Sequence, residues 1–331
     1  MTERIATTPG VFPLPDWAKD DLSDLKGHQK DDLITGDEGP ELTAVYDEAR
    51  EEVVSVQRKA GLDRIVEGQL RWDDMLAHPL TVHDSVETGG IVRYYDNNNF
   101  YRDPVVVNEL SFDGDVAAEL EATTELADDV QAILPGPNSL ADLATDEFYN
   151  DDEEFLAAVA DFLAGEVDAF PEIETLFLLE PSLVENPPED GEDARASDAI
   201  DVVANATDAE VVAQPYFGSL DEKVHAHLLD ADVDAVGYDL VSDHDGCLSN
   251  VNEYGTKDSV SLGLVDGQNT LVESPETIAE RVDWFEENTP VNEFDTVYLT
   301  TNTETFYLPY SKFEDKLSAL AEAAQLEEVT L

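Results

Sequence analysis

Eight short apolar segments recur along this chain, and each runs into a loop rich in glycine, proline or polar residues. They are residues 5–8, 65–66, 131–134, 176–179, 211–215, 235–240, 261–265 and 297–300. Most are followed by a segment whose apolar residues recur every three or four positions, the period of an α-helix. Strands that alternate with helices pair in parallel, because each helix returns the chain to the same end of the sheet. The pattern predicts an α/β fold, a (β/α)8 TIM barrel that occupies residues 1–331 as a single domain.

Residues 61–75, GLDRIVEGQLRWDDM, combine a helix end, a short strand and a polar loop. Gly61 suits the left-handed position that follows a helix, and Gly68 lets the backbone turn after the strand. Gln69 and Asp74 are thereby placed at the carboxyl end of a strand, which is the edge where α/β barrels bind ligands. The segment predicts a binding loop, and a solvated acidic loop is the alternative that the residues leave open.

A β-hairpin is predicted after the second strand. Residues 91–95 and 100–102 are rich in β-branched and aromatic side chains, and residues 96–99 between them read DNNN. Asparagine tolerates the positive backbone angles of a tight turn. We expect this inserted hairpin to fold over the mouth of the barrel.

The chain is strongly acidic. Lys and Arg number 17 against 77 Asp and Glu, which gives a formal net charge of −60. The acidic residues recur on one predicted helix after another while the apolar segments stay intact, as is typical of the solvated surface of a protein from a halophilic archaeon. Such a surface repels phosphates, so neither nucleic acid nor an anionic membrane is an expected partner.

The cysteine content and the hydropathy of the chain limit the cellular compartments in which it is expected. Cys247 is the single cysteine, which excludes an intrachain disulfide and a metal site with several thiolates. The amino-terminal residues lack the basic and apolar segments of a signal peptide, and no apolar run approaches the roughly 18 residues that span a membrane. We expect a soluble cytoplasmic protein.

Several strand-end loops resemble those of the cobalamin-independent methionine synthase family. The segment 61–75 is similar to the family's GLD…hGE…R.DM run, and residues 8–13, TPGVFP, are similar to its T.GSFPR loop. Residues 135–139, PGPNS, are similar to PGP.T; residues 180–183, EPSL, to the end of DEPAL; and residues 265–269, VDGQN, to VDGRN. The resemblance covers most of the chain and also implies a (β/α)8 barrel.

The resemblance implies an activity and a set of site residues. Family members transfer a methyl group from 5-methyltetrahydrofolate, or a related pterin donor, to homocysteine in methionine biosynthesis. Glu180 and Asp239 would then be catalytic, with Glu180 holding the amino acid and Asp239 acting as a residual ligand or base. Substrate-binding roles fall on Gln69, Asp74, Ser139, Gln214, Tyr216, Asp266 and Asn269.

The resemblance fails at the zinc site of the family. The family's ligands are a His-x-Cys after strand five, a Glu after strand six and a Cys after strand eight, and thiolate and imidazole bind zinc tightly. Here Gln214 and Tyr216 occupy the His and Cys positions, Asp239 stands for the Glu, and residues 301–306 contain no cysteine. We predict that this chain binds no metal and no cofactor tightly. The pattern is similar to the family's zinc-less amino-terminal barrel.

Three functions follow as alternatives. The first is methyl transfer as one half of a split methionine synthase, with homocysteine and a methyl-pterin as substrates and zinc expected only in a separate partner barrel. The second is a non-catalytic barrel that binds the methyl donor and pairs with the zinc-bearing barrel. The third is an enzyme similar to the uroporphyrinogen decarboxylases, which would need arginines that this chain scarcely has.

Histidines offer few other metal ligands. His244 and Cys247 are the only His/Cys pair close in sequence, and two such ligands do not make a zinc site. We interpret their segment as a polar loop with an incidental thiol. His78 and His83, near a proline turn, could lie at the barrel mouth, but the sequence shows no partner for them.

Overall fold

The computed structural model describes residues 2–23, 39–72, 75–95, 100–112, 114–189, 191–290 and 293–326. Its strands are β1 (Glu3–Ala6), β2 (Ile65–Val66), β3 (Val86–Arg93), β4 (Phe100–Val106), β5 (Val130–Pro135), β6 (Thr145–Asp146), β7 (Thr175–Leu179), β8 (Glu210–Gln214), β9 (Ala235–Asp239), β10 (Ser259–Val265) and β11 (Thr296–Thr301). Its α-helices are α1 (Asp16–Leu22), α2 (Pro40–Ala60), α3 (His78–Thr81), α4 (Asp115–Thr124), α5 (Pro137–Leu143), α6 (Asp152–Asp168), α7 (Ser182–Glu185), α8 (Asp193–Ala204), α9 (Glu222–Leu228), α10 (His244–Tyr254), α11 (Pro275–Asn288) and α12 (Tyr310–Ala324).

Eight of the strands form one sheet in the order β1, β11, β10, β9, β8, β7, β5, β2, and every neighbouring pair is parallel. The two ends of this order meet. Asp63 N donates to Ala6 O at 3.0 Å and Phe12 N donates to Gly68 O at 2.9 Å. The sheet therefore curls into a barrel that closes along a short seam, and the predicted (β/α)8 fold is confirmed.

The strands of the eight-stranded sheet are largely apolar because the barrel buries both of their faces. The segment TLFLL of β7 is completely buried, and four of the five residues of β8 are buried. Such continuous aliphatic runs are typical of parallel strands covered by helices. The alternation of these strands with amphipathic helices could therefore be read directly from the sequence.

Helix ends follow ordinary capping chemistry. Gly61 closes α2 with a φ of 90°, as its position in the sequence predicted, and its N–H donates to Gln57 O. At the start of α6 the carboxylate of Asp151 accepts from the amides of Glu153 and Glu154. Local sequence signals therefore set where these helices start and stop.

The predicted hairpin is confirmed and is longer than predicted. Strands β3 and β4 pair antiparallel from Val86 opposite Val106 to Arg93 opposite Phe100, and β4 also pairs with β6. Most of β3 is exposed, whereas Tyr94, directly after it, is fully buried. The hairpin thus exposes β3 to solvent, while Tyr101 and Val106 of β4 and Tyr94 at the hairpin end pack into the protein.

The interpretation of the segment around His244 and Cys247 as a loop is wrong. Both residues lie in α10, which begins after Asp243, whose carboxylate accepts from Gly246 N at 3.0 Å. The face that packs on the barrel includes Cys247, Asn250 and Val251, so only part of it is aliphatic. A helix whose buried face is partly polar does not show a clear apolar period, which is why the pattern was missed.

A buried lysine joins the last helix to the loop after β10. Lys316 of α12 is fully buried, and its ammonium group contacts Glu273 Oε2 at 2.8 Å and donates to the carbonyl oxygen of Leu271. Glu273 in turn accepts from Asp266 N at 3.0 Å. The strand-end loop is thereby held against the barrel.

In the part of the chain that the structure describes, no helix is long and apolar enough to cross a membrane.

Candidate functional site

The predicted site residues follow the carboxyl ends of the barrel strands. Because all eight strands are parallel, these ends meet at one mouth of the barrel. Asp74 lies outside the described residues. The other predicted residues are at the ends of six strands, namely Gln69 after β2, Ser139 after β5, Glu180 after β7, Gln214 and Tyr216 at β8, Asp239 at β9, and Asp266 and Asn269 after β10.

Gln69 joins two strand-end loops. It is buried, and its Oε1 accepts from Val11 N at 2.8 Å in the loop after β1. Its own N–H and its Nε2 both donate to Glu67 Oε2, at 2.8 and 3.2 Å. Burial and the charge of Glu119 raise the pKa of Glu67, which is fully enclosed. The carboxamide of Gln69 is committed to loop contacts on both sides, so it shapes the mouth.

Glu180 is completely buried, and its carboxylate is bound by the start of helix α5. Its Oε2 accepts from Ser139 N at 2.8 Å and from Ser139 Oγ at 2.7 Å, and its Oε1 accepts from Asn138 N at 3.1 Å. Burial raises the pKa of Glu180 to about 7, although these hydrogen bonds oppose the rise. The amides and hydroxyl of the PGPNS loop are therefore occupied by the chain's own carboxylate.

Ser139→Ala should lower the free energy of unfolding by about 1–3 kcal/mol. The substitution removes the hydroxyl bond to Glu180 and also the acceptor for Ser182 N, which lies 3.1 Å from Ser139 Oγ. Ser318→Ala, on a partly exposed face of α12, is the matched control and should change stability by less than about 0.5 kcal/mol. Urea unfolding of the three proteins measures this, and equal stability of Ser139→Ala and the parent would contradict it.

Asp239 is saturated with hydrogen bonds. Its carboxylate accepts from Phe217 N at 3.0 Å, Val241 N at 3.1 Å and Ser242 N at 2.8 Å. Asn302 Nδ2, from the loop after β11, adds contacts of 3.1 and 3.2 Å to the two oxygens. Burial raises the pKa of Asp239, and the hydrogen bonds limit the rise. This carboxylate holds three loops together at the mouth.

Gln214 points into the barrel interior. Its Oε1 accepts from Ser261 Oγ at 2.6 Å, and its Nε2 donates to Pro215 O at 3.3 Å. Its amide lies over Gly237, where a Cβ would come within 2.5 Å of it, so a larger residue there would displace the amide of Gln214. The contacts across strands β8, β9 and β10 place Gln214 beneath the mouth.

An aromatic cluster covers the mouth above β8. Tyr94 and Tyr95, at the end of β3, pack on Tyr216 and Phe217. The hydroxyls of Tyr94 and Tyr216 lie 3.4 Å apart, the rings of Tyr216 and Phe217 are 4.7 Å apart, and Tyr95 OH is 2.7 Å from Ser182 Oγ. The inserted hairpin therefore closes over the loop after β8 at the mouth of the barrel, as the sequence predicted.

Backbone strain concentrates at this face. Four residues other than glycine adopt left-handed angles in strand-end or hairpin-end positions, with φ of 52° at Val11, 51° at Gln69, 47° at Tyr95 and 79° at Phe217. Each costs about 1–2 kcal/mol for a residue with a Cβ. Strained backbone of this kind clusters at functional sites, because the surrounding contacts hold side chains in positions that relaxed loops would not give.

Glu304 is a mouth residue that the sequence reasoning missed. It follows β11, is 1% exposed, and its Oε1 accepts from Gln268 Nε2 at 3.2 Å. Burial raises the pKa of Glu304 to about 7. Its Oε2 is buried without a hydrogen-bond partner among the described residues. An acidic residue in an otherwise polar, uncharged loop, TTNTET, was the signal available in the sequence.

Asp266 and Asn269 form local turns after β10. Asp266 Oδ1 accepts from Gln268 N at 2.9 Å, and Asn269 Oδ1 accepts from Leu271 N at 3.0 Å. Asn269 is exposed, whereas Asp266 is half-buried. Both side chains stabilise the loop that carries Gln268 towards Glu304.

Comparison with known proteins identifies the family. A family model described as the N-terminal domain of cobalamin-independent synthase matches residues 82–289. The chain belongs to this family. A search of curated proteins found no match. Membership of the cobalamin-independent synthase family supports a role in methionine biosynthesis.

Solved structures agree with this cobalamin-independent synthase fold. A B12-independent methionine synthase from Shewanella sp. W3-18-1, determined in complex with selenomethionine, is 18% identical with a TM-score of 0.79, over 97% of this chain and 96% of that chain. A protein from Listeria monocytogenes, provisionally described as a vitamin-B12-independent methionine synthase, is 16% identical with a TM-score of 0.69, over 98% of both chains. At these identities the likeness establishes the fold alone.

The residues of this synthase-family barrel do not fit a zinc ion at the position that the resemblance implies. The amide of Gln214 is engaged by Ser261, and Asp239 already accepts hydrogen bonds at both oxygens. Burial and the charge of Glu304 raise the pKa of Tyr216 well above its usual value, so its phenol stays protonated. Within the described ranges, no three His, Cys, Asp or Glu side chains are grouped as metal ligands.

The histidines and the cysteine are engaged elsewhere. The Cys247 thiol is 3.6 Å from Asp239 O, and burial raises its pKa well above the usual range, whereas the His244 ring packs on Trp284 near the surface. His78 is buried against Trp72, with its Nε2 3.2 Å from Asp115 Oδ2. His244 and Cys247 therefore do not converge on a common ligand.

Proposed function

We propose that this barrel takes part in methyl transfer from 5-methyltetrahydrofolate, or a related pterin donor, to homocysteine as one half of a two-barrel methionine synthase. Family membership supports the pathway. The contacts of Gln214, Tyr216 and Asp239 are the observation that supports placing the zinc site in a second barrel. These side chains are satisfied within the protein, and none offers a thiolate or imidazole to zinc.

A partner is needed because this chain has no group suited to ionise the thiol of homocysteine. A thiol with a pKa near 8.5 is only about 3% ionised at pH 7, and a bound metal is the usual means of ionising it. Asp239 is a poor base for this purpose, because its oxygens already accept several N–H groups. We therefore assign zinc and thiol activation to a separate barrel, and substrate binding and positioning to this chain.

Mixing this chain with a zinc-bearing barrel of the family should produce methionine at least about 30-fold faster than this chain alone, given the thiolate fraction at pH 7. Methionine formed from L-homocysteine and 5-methyltetrahydrofolate is measured by chromatography. The partner barrel alone and the chelator-treated mixture are the controls, and both should be slow. Metal analysis of this chain alone should find no stoichiometric zinc.

Two outcomes would overturn the proposal. One is turnover by this chain alone at the rate of the mixture and without effect of chelator, which requires a metal-free activation of the thiol. The other is a mixture no faster than the partner alone, which means that this barrel does not contribute to the reaction. Asp74→Ala, at a position assigned by resemblance, should slow the mixture, while Asp84→Ala at an exposed position should not.

A further inference from the structure

Glu304 is a buried carboxylate, and only one of its two oxygens accepts a hydrogen bond in the described structure. Gln268 Nε2 donates to Oε1, but no donor reaches Oε2, which is shielded from solvent. Among the described residues, no lysine, arginine or histidine forms an ion pair with it. Buried carboxylates are ordinarily paired, because an uncompensated charge in a low dielectric is costly. A group that is absent from the free protein would complete this site.

The surroundings of Glu304 suit a cation with N–H donors. Burial and the nearby charge of Glu304 both raise the pKa of the phenols of Tyr94 and Tyr216. Aromatic faces and a carboxylate together bind ammonium groups, since the ring quadrupole and the negative charge both attract a cation.

The backbone around Glu304 is fixed to neighbouring loops at the mouth of the barrel. It lies between loops that are fixed to each other, since Thr305 N donates to Val11 O at 3.2 Å and a Cβ at Gly267 would come within 2.6 Å of the carbonyl oxygen of Glu304. Val11 is held in turn by Gln69. The carboxylate is therefore presented by rigid neighbours at the strand ends where barrels bind substrate.

We propose that Glu304 binds the ammonium group of the amino-acid substrate. The identity of the amino acid as homocysteine, with methionine as product, rests on the proposed function. The recognition of an ammonium group rests on the unpartnered, buried oxygen of Glu304 at the mouth of the barrel.

Calorimetric titration with L-methionine and with 4-(methylthio)butanoate, which lacks only the amino group, tests this inference at pH 8. The wild-type chain should bind L-methionine at least about tenfold more tightly than the analogue. Glu304→Gln keeps the shape and removes the charge, so it should lose that preference, with L-methionine weakened at least about tenfold and the analogue unchanged. Glu87→Gln, which removes an equal charge from the exposed face of β3, is the matched control and should behave as wild type.

The outcomes separate this inference from the proposed function. Equal affinity of wild type for the two compounds, no binding of L-methionine, or an equal loss for both compounds in Glu304→Gln would overturn the ammonium site. These titrations need neither zinc nor a methyl donor. Failure of the two-barrel proposal would appear instead as absence of methionine formation by the mixture while the preference for L-methionine persists.

Discussion

Glu304→Gln should make this protein more stable at pH 8, although it alters a buried residue at the mouth. Burial raises the pKa of Glu304 to about 7 in the folded chain, from 4.5 for the free side chain. The contribution of this group to stability is fully present below about pH 4.5 and is lost as pH rises through 7, because the unfolded state releases the proton first. Between pH 5 and pH 8 the wild type should lose about 3 kcal/mol from this group alone.

The glutamine variant should lack this loss. Its amide oxygen can still accept from Gln268, and its amide nitrogen takes the position of an oxygen that has no donor in the described structure. The difference in unfolding free energy between variant and wild type should therefore shift by about 3 kcal/mol in favour of the variant from pH 5 to pH 8. Glu180 and Glu67 titrate in both proteins, so their contributions to the pH dependence of the unfolding free energy cancel in this difference.

Urea unfolding at pH 5, 6, 7 and 8 measures the shift, with Glu87→Gln as the control for loss of one charge. A difference that stays constant across these pH values would show that Glu304 does not titrate as a buried group. The same variant loses the site proposed for an ammonium group. A gain in stability alongside a loss of L-methionine affinity would show that the unpaired carboxylate is retained for binding at a cost in stability.

Salt should raise the melting temperature of this protein by about 10 °C or more between dilute buffer and 2 M potassium chloride, an effect of several kcal/mol for a chain of this size. The net charge of −60 repels itself across the whole particle when screening is weak. The Debye length is about 30 Å at 0.01 M salt and about 3 Å at 1 M, so concentrated salt leaves only near neighbours in repulsion.

Calorimetry or circular dichroism across the salt series measures this effect. Sucrose is the control, since it favours compact states by exclusion from the protein surface without adding ionic strength. Sucrose should recover only a small part of the effect of salt. A melting temperature that does not change with potassium chloride would show that the acidic groups are neutralised locally, and it would remove the halophilic interpretation of the composition.

The strands, helices and family could be predicted from the sequence because their signals are local. An aliphatic run such as β7 can be satisfied only inside a parallel sheet, and Gly61 or Asp151 marks a helix boundary with its own backbone chemistry. The strand-end loops placed most of the predicted site residues at one mouth, because in a parallel barrel chain order alone decides which edge a loop joins. The role of each residue within that mouth could not be predicted from the sequence, since a residue's place at the mouth does not reveal its contacts.

The tertiary structure decided which mouth residues have free groups. Asp239 and Asn302 are 63 positions apart yet bond directly, and the carboxylate of Glu180 accepts from Ser139 N, 41 positions earlier, at the start of α5. Helix α10 was missed because its buried face includes Asn250, whose amide is satisfied by Leu220 O at 2.7 Å, a contact that the local pattern cannot show. The sequence around Glu304 gives little sign of a special role, and only the fold leaves its Oε2 buried and unpaired in the described structure. Hydrogen-bond satisfaction depends on partners distant in sequence, whereas secondary structure depends mainly on neighbours, which is why the fold was predictable and the chemistry of the site was not.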